Sequence, residues 1–332
     1  MCTLVAPAEA TDQTLRIGII DFYGLNGAPA DRARAALTFT EGDIISLKGG
    51  GRPASFSASE ARLATLPRIA RARINLVCCD DGRGIIYVGI QQQGSVTMPF
   101  RGAPVGDAEL AADIVRAGDE FSKALMLAVQ RGEAAEDRTQ GHSLALDPAM
   151  RAIQDRFIVY ANRDLLTLRD VLRNSRSAAQ RALAAQVLGY ATDKSAVAAD
   201  LSYGMSDPSE AVRNNAMRAL MVMAEMTPSA ERAAPHISPQ PFIALLHSPV
   251  WSDRNKAAGA LEVLTRPRDR GVLDALTQAI DPLVEMARWR SEGHALSAFL
   301  VLARIANYSD EAAFDLWKRG EREVVIMSIL RE

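Results

Sequence analysis

One phrase recurs three times in the second half of this chain. Arg181-x-x-Ala184-x-x-Val187-Leu188 returns as Arg213-x-x-Ala216-x-x-Ala219-Leu220 and again as Arg254-x-x-Ala257-x-x-Ala260-Leu261, with spacings of 32 and 41 residues. Six residues before each Arg stands a residue of helix-capping type: Ser175, Asp207 and Ser248. A helical phrase repeating at that interval predicts stacked helix pairs, because one pair cannot bury its apolar stripe alone. In the clearest copy, Leu201 and Met205 share one face of a first helix. Asp207 is placed to cap the second helix, and Val212, Ala216, Ala219 and Leu220 form its inner stripe. Arg213 is then positioned to bond loop carbonyls or an acidic side chain, so the Arg and capping residues read as structural. In a fourth copy Met286 replaces the cap and Glu292 replaces the Arg, before Ala295 and Ala298-Phe299.

The first 93 residues follow a different pattern. Leu15–Phe22 reads as a strand, Gly24-Leu-Asn-Gly27 as a break, and Asp31–Leu37 after Pro29 as a short helix. Ser57-x-x-Glu60 reads as a capping box opening a second helix with Leu63, Leu66 and Ile69 on one stripe. Arg73–Asp80, the turn Asp81-Gly-Arg-Gly84 and Ile85–Gln91 form a hairpin. The fold class expected is therefore multidomain: a small α+β domain, β-α-α-β-β with a three-stranded sheet, followed by an all-α helical solenoid. The expected division is a terminal segment 1–13, the α+β domain 14–93, a Pro/Gly linker 94–106 and helical repeats over 107–332. Gly49-Gly50-Gly51 is a loop without the spacing or the Lys-Ser/Thr ending of a phosphate cradle.

Two resemblances attach to these residues. Asp207-Pro-Ser-Glu-Ala-Val-Arg213 with Ala216 and Ala219-Leu220 resembles a HEAT repeat, and the likeness covers about 163–306. Ile20-Asp-Phe-Tyr-Gly24, Leu37-Thr-Phe-Thr-Glu-Gly-Asp43, the Leu63–Ile69 stripe and Tyr87-Val-Gly-Ile90 stand in the order seen in POTRA domains, which the segment resembles. It departs from that pattern at Gln91-Gln-Gln93, where an acidic residue is usual, and at the glycine insertion. The POTRA resemblance implies docking of envelope partners through a sheet edge. It also implies a periplasmic or envelope location; the small-x-small Ala8-Glu9-Ala10, without a basic n-region, reads either as the tail of a truncated signal peptide or as a frayed cytosolic terminus.

Composition narrows the chemistry. The net charge of −2 shows no strong basic bias, although composition alone leaves a basic curved face open, and no nucleic-acid partner is expected. No apolar run approaches the roughly 20 residues of a membrane span, so no integral membrane segment is expected. Three cysteines exclude a disulfide framework. Cys78 and Cys79 read as strand thiols, Cys78 on the face of Ile74 and Leu76. The four histidines His142, His236, His247 and His294 lack metal-ligand spacing, and no HExxH, GxSxG, CxxC or Walker phrase is present, so no catalytic residue, metal or cofactor is expected. The Arg73–Asp80 strand is the expected sheet edge, able to accept an extended peptide. Arg73, Asn75, Val77 and Cys79 are thus candidate partner-binding residues. His142 and Ser143, in a long loop inside a helical region, are a second candidate contact. The function expected is a non-catalytic protein-interaction scaffold of the bacterial envelope, its partner held by strand addition or on the concave face of the solenoid. The rivals are a cytosolic scaffold, or an enzyme (a lyase or nucleic-acid-modifying protein) with a polar pocket holding a perturbed acid or base.

Overall fold

The structure is a computed structural model and describes residues 14–27, 29–47, 52–96, 99–226 and 235–331. Met1–Ala10 and Gly49–Gly51 lie outside the described residues. The chain divides into two compact units. The first comprises residues up to Val96 together with Pro249–Trp251 and Glu285–Leu296; the second comprises Thr97–Ser248, Ser252–Val284 and Ser297–Glu332.

In the first unit, β1 (Thr14–Tyr23), α1 (Asp31–Ala35), β2 (Ile44–Ser46), α2 (Ala54–Ala64), β3 (Ile69–Asp80) and β4 (Arg83–Gln92) follow in order. The sheet has four strands, not the expected three, in the order β2-β1-β4-β3. The extra strand is β2, which pairs Ile45 with Leu15 antiparallel to β1. Three residues are too few to show a two-residue alternation, so this strand left no pattern to read. β1 runs parallel to β4, and β3 is its antiparallel neighbour at the edge.

Both faces of the sheet are covered, which explains why Gly84–Ile90 is buried without interruption. On one face Ile86, Val88 and Ile90 join Ile17, Ile20 and Ile74 against Phe56 and Leu63 of α2. On the other, Tyr87 packs on Trp289 with ring centroids 4.6 Å apart and stacks on Trp251 at 5.6 Å, and its hydroxyl meets His294 Nδ1 at 2.8 Å. Burial pushes the Tyr87 phenol well above its ordinary range. Gly89 is required here: a Cβ would stand 2.0 Å from the Pro249 carbonyl oxygen and 2.6 Å from the Tyr23 hydroxyl. Arg290 donates from its backbone N and its Nε to the two Asp21 oxygens, each at 2.8 Å, and Glu285 accepts the Gly24 N–H. Those contacts give the decay of the fourth copy a physical reason. Its segment 285–296 belongs to the first unit and carries Glu285, Trp289 and Arg290 for that purpose.

The local reading is corrected at two points. α2 begins at Ala54 behind Pro53, so Ser57-x-x-Glu60 is not its cap. Instead Arg52 donates to Ser57 Oγ, and Glu60 accepts the Ile74 N–H at 2.6 Å. Cys78 and Cys79 are exposed and joined to each other as a vicinal disulfide, where the ladder shifts register between Val77 and Asp80. His294 is held by Tyr87, as a core histidine would be.

The second unit is mostly helical, and among the described residues no helix is long and apolar enough to cross a membrane. It contains α3 (Ala112–Arg131), a two-stranded ladder of β5 (Glu136–Asp137) and β6 (Leu144–Ala145), α4 (Pro148–Arg163), α5 (Leu165–Asn174), α6 (Ala178–Leu188), α7 (Lys194–Gly204), α8 (Glu210–Ala224), α9 (Gln240–Leu245) and α10 (Trp251–Leu264, from Ser252 onward). Further helices follow to Leu330. α5 packs on α6, α7 on α8, and α6 on α8. Close approach depends on small residues: a Cβ on Gly189 would lie 2.9 Å from that of Ala219, and one on Gly204 would lie 3.0 Å from that of Ala216. The expected linker does not run free, because Arg101 bonds the Ser206 and Tyr203 carbonyls and Asp207.

The repeated arginines form the buried skeleton of this unit. Each donates to the carbonyl oxygen six residues before it: Arg181 to Ser175, Arg213 to Asp207 and Arg254 to Ser248, all at 2.8 Å. Two of them also reach forward into the next copy. Arg181 holds Asp207 bidentately at 2.9 Å, and Arg213 holds Asp253 at 2.9 and 2.8 Å. Where the third copy has Ser248 in place of an Asp, Asp253 supplies the carboxylate and Ser248 Oγ donates to it at 2.6 Å. The expected caps are displaced by two residues. Ser177, not Ser175, caps α6, and Asp207 accepts the Ser209 N–H just ahead of α8. Burial raises the Asp207 carboxyl, but Arg181, the Ser209 N–H and Arg101 together outweigh it and hold the group below its usual range.

These pairs are sealed, with Arg213 only 2% exposed. Removing one partner strands a buried charge, at a cost of about 3–5 kcal/mol. Arg213→Ala is therefore expected to lower the free energy of urea unfolding by about that amount. Arg176→Ala, which breaks only the exposed pair with Asp107, is expected to change it by less than about 0.5 kcal/mol.

Candidate functional site

The helical unit holds a cleft of 560 Å³, within the roughly 300–1,000 Å³ range of small-ligand sites. Its floor and walls come from the second helices of three successive copies. α6 contributes Gln186, α8 contributes Asn214, Asn215, Arg218 and Val222, and α10 contributes Lys256. The β5–β6 ladder and its loop add Glu136, Arg138, His142 and Ser143, and α3 adds Phe121, Ser122 and Leu125.

Local chemistry fixes the loop. Asp137 Oδ1 accepts from the Thr139 N–H at 2.9 Å and its hydroxyl at 2.8 Å, and Gly141 takes the left-handed conformation at φ 74°. Asp147 caps α4 by accepting the Met150 N–H at 2.8 Å, with Pro148 in the first turn, where its missing N–H costs nothing. Gln154 accepts the Ala145 N–H at 2.6 Å and donates to the Tyr190 hydroxyl at 3.0 Å. Burial pushes the Tyr190 phenol up to about 12, so it stays protonated at neutral pH.

The charges are unevenly matched. Glu136 accepts from Arg218 through both oxygens and from Arg138 at 3.2 and 3.3 Å. Burial raises its carboxyl, yet the two guanidinium groups overcome this and keep it ionised. Arg218 also donates to Ser143 Oγ at 3.3 Å, so that hydroxyl is engaged by a cation rather than by a base. His142 Nδ1 lies 3.1 Å from Lys194 Nζ, which donates to the Gly189 carbonyl. Lys256 is half-buried, and among the described residues no hydrogen bond or ion pair holds its amine. Burial first, then the Arg218 and Arg138 charges, push its pKa down to about 8, against the pull of Glu136.

His142 and Ser143 are thus brought into the cleft, both buried. The strand candidates lie in the first unit. β3 is an edge, with Arg73, Asn75 and Val77 half-buried on the face opposite Ile74, and Asn75 Oδ1 accepts the Trp251 N–H at 3.1 Å. Cys79 is exposed outside the ladder. The outward backbone groups of Ile74 are occupied, the N–H by Glu60 and the carbonyl by Arg52, which shields the middle of that edge.

Asn214, Asn215, Arg218 and Lys256 escaped the motif search, though a signal existed. Aligned on the repeat arginines, Asn215 and Lys256 stand where the first copy has Leu183, and Asn214 stands where it has Ala182. The departures from the repeat mark the cleft, while its recurring residues mark the skeleton. No protein-family model and no curated protein matches this chain.

Lys256 is held charged at neutral pH in a site that disfavours its charge. A lysine pKa lowered on folding costs stability below the folded value, and the cost fades as pH rises from about 8 toward the unfolded value of about 10.4. Lys256→Met is therefore expected to raise the urea midpoint at pH 7, with the advantage shrinking above pH 8. An unchanged midpoint difference from pH 7 to 10 would contradict the assignment.

Proposed function

We propose that this chain is a non-catalytic interaction protein of the bacterial envelope, in which a POTRA-like α+β unit accompanies a HEAT-like solenoid serving as a scaffold for a protein partner. The observation that carries the reading is the distribution of apolar side chains on α3. Ile114, Ala117, Phe121 and Ala128 are buried, whereas Met126, Leu127 and Val129 are each more than half exposed. Met126 and Val129 continue the stripe of Ser122 and Leu125 along the rim of the cleft. Contiguous exposed apolar groups at the rim of a polar recess suit protein contact. The shielded Ile74 edge makes strand addition the lesser of the two routes.

The test is capture from envelope fractions by the wild type and by a Met126→Asp/Val129→Asp variant. A partner retained by the wild type and lost by the variant is the expected result, with the protein itself fractionating with the envelope. Equal capture by both, or a protein confined to the cytosol, would remove the proposal.

A second reading, an enzyme, is favoured by one observation: an amine titrating near 8 inside a polar cleft is suited to act as a base or nucleophile. Exposure to a small aldehyde followed by borohydride distinguishes it. Adduct formation at Lys256 ahead of the other lysines supports the enzyme, and even labelling removes that support.

A further inference from the structure

We propose that the cleft of the helical unit is a receptor site for a small organic anion, a carboxylate or phosphate group held between Lys256 and Arg218. The inference concerns the charged groups of the cleft on α8, α10 and the β5–β6 loop, not the exposed apolar residues of α3 that continue along its rim, and stands whether or not those residues bind a protein.

Three cationic side chains line the cleft, Arg138, Arg218 and Lys256, against one carboxylate, Glu136. Glu136 is shared by the two arginines, and Arg138 is further neutralised by Glu225 at 3.4 Å. What remains unbalanced is on the Lys256 side. Among the described residues its amine has no protein acceptor, and Arg218 commits only Nη2, to Glu136 and Ser143, with no partner there for Nε and Nη1. A half-buried cation without a counter-charge is costly, and an anion entering the cleft offsets that cost. Gln186 and Asn214 add neutral polar groups along the same wall, as a site that orients a small anion requires. The enclosing groups that set the amine's charge are Arg218 on α8, Arg138 in the loop and Glu136 on β5. Tyr190 and His142 also line the cleft, and His142 is engaged by Lys194 behind it. A bound anion favours the charged amine, so binding takes up protons near pH 8 and weakens above it.

The test is calorimetric titration of the full chain with malonate, with inorganic phosphate and with neutral malonamide as probes. At pH 7, malonate or phosphate is expected to bind one to one while malonamide does not. The better of the two anions tells carboxylate from phosphate. Lys256→Met should weaken that anion at least ten-fold, whereas Lys318→Met, on an exposed helix surface, leaves it unchanged. Wild-type affinity should fall as pH rises from 8 to 9.5, and Lys256→Arg, whose charge does not titrate there, should abolish the fall. Because Lys256→Met is expected to remain folded, loss of binding in that variant with an intact thermal transition reads on the site. Failure of both anions to bind better than malonamide, equal affinity in Lys256→Met, or the same pH dependence in Lys256→Arg would overturn the proposal.

Discussion

The helical unit depends on a chain of buried arginine–carboxylate links. Arg181 grips Asp207, the Asp207 carbonyl accepts from Arg213, and Arg213 grips Asp253, so each link closes a loop within its own copy and ties it to the next. A guanidinium suits the task because its planar fork satisfies a carboxylate and a carbonyl together, leaving few donors stranded in a dry interior. Apolar packing alone would allow the helix pairs to slide over the small Ala and Gly contacts. The charged links fix their register, since a misplaced pair would leave a buried charge uncompensated.

That arrangement separates structure from function within a single helix. α8 turns Arg213, Ala216 and Leu220 inward and presents Asn214, Asn215 and Arg218 to the cleft. α10 does the same with Arg254 and Lys256. The skeleton constrains one stripe and leaves the neighbouring stripe free to carry binding chemistry. Lys256 is the sharpest instance, a cation kept in a recess that disfavours it and placed where an anionic ligand would relieve it.

The sequence made much of this legible, and unevenly. The Arg-x-x-Ala-x-x-Ala-Leu phrase pointed to paired helices and to a structural role for Arg213. The three-residue strand Ile44–Ser46 was too short to leave a pattern. The caps were misplaced by two residues, because Ser175 Oγ and Asp207 accept the N–H groups of Ser177 and Ser209 just ahead of α6 and α8 instead of those inside the helices. His142 and Ser143 drew attention through loop length alone, and the structure puts them in the cleft. Lys256 and Arg218 went unremarked, since a cleft assembled across three copies has no linear motif. The decayed fourth copy became intelligible only once Glu285, Trp289 and Arg290 were seen to belong to the first unit.

The most direct test of this account is a double-mutant cycle on Arg213 and Asp253, with unfolding free energies measured for Arg213→Met, Asp253→Leu and the double variant. If the buried link fixes the stack, each single change is strongly destabilising and the double variant recovers a large part of the loss, giving a coupling of at least about 1.5 kcal/mol. Losses that add to within about 0.5 kcal/mol would show that the two side chains do not act together, and would contradict the account.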